Sequence, residues 1–501
     1  MRRVVRFAAA AGVIAAASFV IRADVPSQTS EIQLRLGDLL YSEGRYLDSL
    51  EAYRNALKTA APDASKRPRV GVIASALRVA EFDLARKEAE RLHETDPKSP
   101  DSMALYGDAL WSAGLFEEAE AQYHDVLAAE PESARGHHGM AKALTARGRL
   151  DEGMNEAQAA LKLSPRDLEI HHTVGTIFER EHKYEEAAAA YSNYVNLLPN
   201  KDHSEKADWS RAEIRFLRSF GQRVPFETDP GTDDRVFTVD FRLVNEKVVV
   251  RAKVNDSSAQ DFVVDTGSEN TVVTRTTAQR LGITPVTYTL SAGVGRVGLR
   301  GLQLARVDSL ELGALKLRNV PVLIKNPPLR DIPVKETESL SPLALGYSMV
   351  IDYKTHKLTF GRHLPIEKAE VDLPLRLYRL ATVRGTVDRH HANFVVDTGG
   401  EVISISQATA TALARPQTGR KIALKVYGTS GWDEDAFLMP GIDLAFDAIT
   451  YKNFPVVVLN LDAPSALLGF QLGGIVGHKF LSKYRVGIDL EHSVLHLKNV
   501  S

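Results

Sequence analysis

The chain has 501 residues, with 62 Lys+Arg against 64 Asp+Glu for a formal net charge of −2. At roughly 100–200 residues per domain that length predicts about three folding units, and 44% hydrophobic with 25% charged residues is a globular composition, not a disordered one. The near-neutral charge speaks against nucleic acid as the main partner, and the absence of cysteine excludes disulfides, thiolate nucleophiles and Cys-ligated metal centres.

The chain opens with Arg2, Arg3 and Arg6, followed by the apolar run Phe7–Ile21. This order predicts a secretory signal over residues 1–23, cleaved before Asp24, and a periplasmic or extracellular protein. The run is short of the ~20 apolar residues a helical span needs. An uncleaved N-terminal anchor is the alternative, and it is the one route by which the sequence implies a membrane.

From residue 31 to about 220 the chain repeats itself. Pro97, Pro131, Pro165 and Pro199 are spaced by 34 residues, as are Gly107, Ala141 and Gly175, and Tyr123, Ala157 and Tyr191. Small residues let two antiparallel helices approach closely, aromatics such as Phe116, Tyr123, Tyr184 and Tyr191 fill the gaps between units, and each proline ends a second helix. This period and residue order resemble the tetratricopeptide repeat over about five units. The resemblance implies an all-α solenoid over residues 31–220, with a groove that takes a protein partner or peptide. The amphipathic stretch His203–Phe220, with Trp209, Ile214, Phe216 and Leu217, is expected to cap the stack. The doublets His137-His138 and His171-His172 read as packing residues, since adjacent histidines on a helix point in different directions.

Residues 221–235, rich in Pro, Gly and acidic side chains, read as a linker. Beyond it the helical period gives way to alternating β-branched runs, and the chain says the same thing twice. Phe262-Val-Val-Asp-Thr-Gly-Ser268 recurs as Phe394-Val-Val-Asp-Thr-Gly-Gly400, Asn319-Val-Pro-Val322 as Asn453-Phe-Pro-Val456, and Tyr347-Ser-Met-Val-Ile-Asp-Tyr353 as Tyr484-Arg-Val-Gly-Ile-Asp-Leu490. Two homologous β lobes, 236–363 and 371–501, follow. In each, an apolar strand ends in Asp-Thr-Gly, which puts a carboxylate at a tight turn where glycine lets backbone N–H groups approach. One such triplet is a modest signal. Two in matching contexts are a strong one.

At these residues the chain resembles the retropepsin-like and pepsin-like aspartic proteases, most closely the bacterial retropepsin-like group with fused lobes. The run Gly474-Ile-Val-Gly477, with Phe480, Leu481 and Val486–Asp489, looks like that family's hydrophobic-hydrophobic-Gly segment and closing strand. The resemblance implies a bilobal all-β fold in which Asp265 and Asp397 form a catalytic dyad. Thr266 and Thr398 would brace the loops across the lobe interface, with Gly267, Ser268, Gly399 and Gly400 supporting the carboxylates. It implies flaps over the substrate at Gly293, Val294 and Gly295 in the first lobe and at Tyr427, Gly428 and Thr429 in the second. Two close carboxylates share a proton, so one would take a proton from a bridging water while the other donates to the developing oxyanion. No metal and no organic cofactor is required. Ser291–Gly298 also fits a dinucleotide glycine pattern, but a strand follows it where a helix is required.

Two departures stand out. Gly400 stands where the family usually carries Ser, Ala or Thr, whose hydroxyl, when present, supports the carboxylate from behind. Lobe one offers Thr337-Glu-Ser-Leu-Ser-Pro342 where lobe two has its glycine-flanked segment, which predicts a distorted or shortened first lobe. The expected function is thus an exported aspartic endopeptidase whose repeats recruit a protein or peptide substrate. The alternative is a non-catalytic repeat scaffold whose degenerate lobes act as a peptide-binding platform.

Overall fold

The computed structural model describes residues 28–295, 299–325, 337–413 and 422–499. The expected signal segment, and Arg296–Gly298 of the first flap, lie outside the described residues.

Eleven helices come first among the described residues. They are α1 (28–42), α2 (Tyr46–Thr59), α3 (Lys66–Arg78), α4 (Phe82–Thr95), α5 (Pro100–Ser112), α6 (Phe116–Ala129), α7 (Ala134–Ala146), α8 (Leu150–Leu163), α9 (Leu168–Arg180), α10 (Tyr184–Leu197) and α11 (Glu205–Arg218). They stack as antiparallel pairs, and the spaced small residues have a visible cause. The fully buried Tyr123 ring lies against Gly107 and Gly139, where an added Cβ would come within 2.8 Å and 2.2 Å of it. Its hydroxyl donates to Asp108 Oδ1 at 2.8 Å. The histidine doublets are absorbed by packing: His137 meets Glu156 at 2.6 Å, His138 meets Thr173 at 2.9 Å, and the His172 ring lies against Tyr191 and Tyr194. No helix among the described residues is long and apolar enough to cross a membrane.

The two lobes have the same plan. In lobe one, strand Gln260–Val264 runs parallel to Glu338–Leu340, which pairs antiparallel with Thr271–Val273. In lobe two, strand His390–Val396 runs parallel to Gly474–Val476, which pairs antiparallel with Ser404–Ser406. The register is the same, with Phe262 opposite Glu338 and Phe394 opposite Gly474. The first lobe is therefore not distorted, and the reason is local. The buried Glu338 carboxylate accepts hydrogen bonds from the Thr274 N–H, from the Thr274 hydroxyl at 3.0 Å and from the Thr277 hydroxyl at 2.5 Å. A polar side chain thus occupies a core position because three donors meet it there.

The lobes are joined beneath the site by a shared sheet. The closing strands Ser348–Asp352 and Tyr484–Asp489 pair directly, Met349 opposite Ile488, and Phe237–Asp240, Lys357–Gly361, Val494–Asn499 and Val371–Tyr378 extend the sheet on either side. Asp352 and Asp489, repeated in sequence, serve turns: Asp352 accepts from the N–H groups of Lys354 and Thr355, and Asp489 from that of His492. The segment read as a linker is seated on the first lobe, with Phe226 buried in its core and Glu227 bridged to Arg318.

The solenoid docks on both lobes. On lobe two, Trp111 and Phe116 pack with Phe470, Leu472 and Val395, Asn393 donates to the Gly114 carbonyl at 3.2 Å, and Gln471 N–H to the Ser112 carbonyl at 2.7 Å. Arg376, 4% exposed, pairs with Glu117 at 3.0 Å and Glu120 at 3.3 Å of α6. On lobe one, Phe216 and Phe220 at the end of α11 pack on Val272, Leu304 and Leu323.

Candidate active site

Each Asp-Thr-Gly turn leaves the end of a fully paired strand. The Asp265 N–H donates to the Leu340 carbonyl at 2.9 Å and the Asp397 N–H to the Val476 carbonyl at 3.1 Å, so both aspartates are held in equivalent places by equivalent bonds. The two turns then exchange hydroxyls. Thr266 Oγ1 donates to the Val396 carbonyl and Thr398 Oγ1 to the Val264 carbonyl, each at 2.7 Å. Each threonine N–H donates in return to the other threonine's hydroxyl, at 3.1 Å. Both threonines are fully buried, so these bonds have no competition from water.

This brace turns the carboxyls of Asp265 and Asp397 toward each other, each lying against the other lobe's turn glycine. Burial raises both above the usual carboxylate range, and the charge of Asp397 helps push Asp265 up to about 7. Their supports differ. Asp397 Oδ1 accepts the N–H groups of Gly399 and Gly400, both at 2.8 Å, whereas Asp265 Oδ1 accepts that of Gly267 at 3.1 Å. The better-solvated charge is on Asp397, so the proton shared by the pair favours Asp265. Lys247, at a hairpin end lining the same cavity, draws both down.

Gly400 therefore strengthens the second carboxylate through its backbone. Ser268 does not take the role expected of it: its hydroxyl donates to the Asn270 carbonyl at 2.8 Å, and its own carbonyl accepts from Ser341 Oγ at 2.6 Å.

The flap residues meet over the dyad. The hairpin of strands Pro285–Ala292 and Leu299–Leu312 faces the small hairpin of Val426–Gly428 and Gly431–Asp433. Gly293 N–H donates to Ser430 Oγ at 3.2 Å, and Ser430 N–H to the Val294 carbonyl at 3.0 Å. Gly293, Val294, Tyr427, Gly428 and Thr429 line the cavity beneath. Gly295 stands back from it, packed on the Gly431 backbone, where an added Cβ would lie 2.5 Å from the Gly431 nitrogen. The Tyr427 and Trp432 rings meet edge to face at 5.5 Å.

Sequence reasoning missed Ser430, which joins the flaps, and Arg379, which reaches from lobe two to Glu269 of lobe one at 2.7 Å beside the dyad. Glu269 follows directly on the first Asp-Thr-Gly-Ser run, so its place next to the motif was an available signal. Arg379 had none. The rim of the cavity opposite the dyad was also missed, because it belongs to the solenoid.

An aspartyl protease family model matches residues 250–349 and 383–477, one stretch in each lobe and each containing one Asp-Thr-Gly turn. A tetratricopeptide repeat model matches residues 76–143 and 110–175. An Hsp70-Hsp90 organizing protein of Triticum aestivum is 22% identical over 204 residues, covering 38% of this chain and 34% of that protein. Hsp70-Hsp90 organizing protein 1 of Glycine max is 25% identical over 120 residues, 24% of this chain and 21% of that one. The chain thus spans about a third or less of the length of these curated relatives. A thermophilic TPR protein from Thermus thermophilus aligns with a TM-score of 0.32 and 20% identity, over 38% of this chain and 98% of that one. The helical half is thus similar to tetratricopeptide repeats, and each of the two β lobes contains a stretch similar to the aspartyl protease family.

Proposed function

We propose that this protein is an aspartic endopeptidase that hydrolyses peptide bonds with a water held between Asp265 and Asp397. The observation that carries the proposal is the pair of threonine-braced Asp-Thr-Gly turns, one from each lobe, whose carboxyls line one cavity under a pair of facing flaps. With one proton on the pair, the Asp397 carboxylate accepts a proton from the attacking water. The Asp265 carboxyl donates to the carbonyl oxygen as it becomes an alkoxide. The solenoid supplies the surface that receives the substrate chain, in keeping with the protein-binding character of its repeats.

The test is cleavage of an unfolded protein between about pH 4 and 7, beside Asp265→Asn and Asp397→Asn. Cleavage by the wild-type chain, lost in both variants, supports the reading. Undiminished cleavage in either variant overturns it.

A further inference from the structure

The first helix of each repeat pair faces the protease lobes. Arg78 of α3, Trp111 of α5, Arg135 and Lys142 of α7, Glu169 of α9 and Trp209 of α11 line the same continuous cavity as Asp265, Asp397 and both flaps. That cavity measures about 2000 Å³, against ~300–1,000 Å³ for a small-molecule site. The solenoid is not hung on a free linker, since it is fastened at two places, its middle turns and its C-terminal end. Its α5–α6 and α7–α8 turns sit on lobe two, where Ser493 Oγ donates to the Arg147 carbonyl at 2.5 Å. At the far end, Arg306 of the first flap's long strand donates to the Ser219 carbonyl just beyond α11 at 3.3 Å, and its guanidinium lies over the Phe220 ring.

Trp209 has no place in this fastening. Expected from sequence to cap the stack, it belongs to none of the apolar clusters that hold α11, which are built on Ile214, Phe216, Leu217 and Phe220. Its partly exposed ring lies on the cavity wall. A tryptophan left out of the core and lining a cavity is a surface for apolar side chains or for the plane of a peptide bond.

We infer that the solenoid is a fixed wall of the substrate chamber, and that the substrate is a single unfolded polypeptide strand held between Trp209 on one side and the dyad and flaps on the other. The inference rests on the peptidase reading above and narrows its substrate class. A folded domain of about 100 residues, with a radius of gyration near 13 Å, is too large to enter a cavity of about 2000 Å³. An extended strand can enter it, and the mixed charges of the wall select for no particular sequence.

The experiment uses the full chain carrying Asp397→Asn, so that bound substrate survives. Its probes are a fluorescein-labelled helical bundle and a proline-broken version of the same bundle that does not fold. By fluorescence anisotropy, the unfolded probe binds at least about tenfold more tightly than the folded one. Adding Trp209→Ala weakens it about tenfold and Trp209→Phe restores most of the loss, with an unchanged melting temperature certifying the fold. Equal binding of the two probes, no binding of either, or no effect of Trp209→Ala overturns the inference. The two readings fail separately: selective, Trp209-dependent binding with no cleavage by the wild-type chain refutes the peptidase and leaves the chamber standing.

Discussion

Gly267 of the first lobe faces the side chain of Asp397 of the second so closely that a Cβ on the glycine would lie 2.4 Å from the Asp397 carboxyl carbon. Gly399 stands in the same relation to Asp265, at 2.6 Å from its Oδ1. Each glycine makes room for the other lobe's carboxyl while its own N–H holds the aspartate two residues before it.

A methyl group at either position therefore pries the pair apart. Gly267→Ala and Gly399→Ala are each expected to lower peptide cleavage by about 100-fold or more, with a stability loss of about 1–3 kcal/mol from overpacking. Initial rates on an unfolded substrate and urea unfolding curves check the two effects separately. Full activity in either variant would show that the close approach of each glycine to the opposite carboxyl is not needed.

The raised carboxyl of Asp265 gives stability a definite pH dependence. Between the unfolded value near 4 and the folded value of about 7, the folded state holds a proton that the unfolded state has lost. The dyad's contribution to stability is thus fully present below about pH 4 and is lost as pH rises through about 7. Asp265→Asn, which cannot ionise, should melt higher than the wild-type chain at pH 8, by about 2–4 °C or more, and the gap should close toward pH 4. Cleavage should likewise fall as pH rises through about 7. Melting curves and kcat/KM profiles across this range check both statements.

The threonine brace predicts a split between hydroxyl and methyl. Thr266→Val leaves the Val396 carbonyl and the Thr398 N–H buried without their partner, at a cost of about 1–3 kcal/mol for each unsatisfied group. Thr266→Ser keeps the hydroxyl. Denaturant titration should find the valine variant clearly destabilised and the serine variant near the wild type, with cleavage following the same order.

Arg376 tests the seat of the solenoid on lobe two. Almost fully buried and paired with Glu117 and Glu120, it leaves Glu117 without that cation when replaced by alanine, while Glu120 keeps Arg147 at 2.7 Å. The expected loss is roughly 3 kcal/mol. Calorimetry should show the unfolding of Arg376→Ala broaden or divide into two transitions, one for the helices and one for the lobes. A single sharp transition at the wild-type temperature would count against a close-packed seat.

Much of this was legible from residues alone, for particular reasons. The 34-residue period is visible because each repeat meets the same packing problem, so Gly107 and Tyr123 have counterparts at fixed steps. The Asp-Thr-Gly turns are visible because the same local geometry is needed twice. What escaped reading depends on contacts between residues far apart in sequence. Glu338 looked like a defect until Thr274 and Thr277, more than sixty residues earlier, supplied its donors. Trp209 looked like core because it falls on an amphipathic stretch, and only the placement of the lobes turns its face into a cavity wall. The solenoid's seat on lobe two rests on single residues such as Asn393 and Gln471, neither of which belongs to a repeating pattern.

The strand pairing of Ser348–Asp352 with Tyr484–Asp489 has a consequence for how the site responds to dilution. Lobes that came from separate chains would have to find each other, and their activity would fall with the square of concentration once below the dissociation constant. Here the second lobe is tethered to the first through one hydrogen-bonded sheet, so the partner's effective concentration is set by chain connectivity, not by the amount of protein in solution. Specific activity should stay constant across serial dilution, and the dyad is as complete in one isolated molecule as in a concentrated sample.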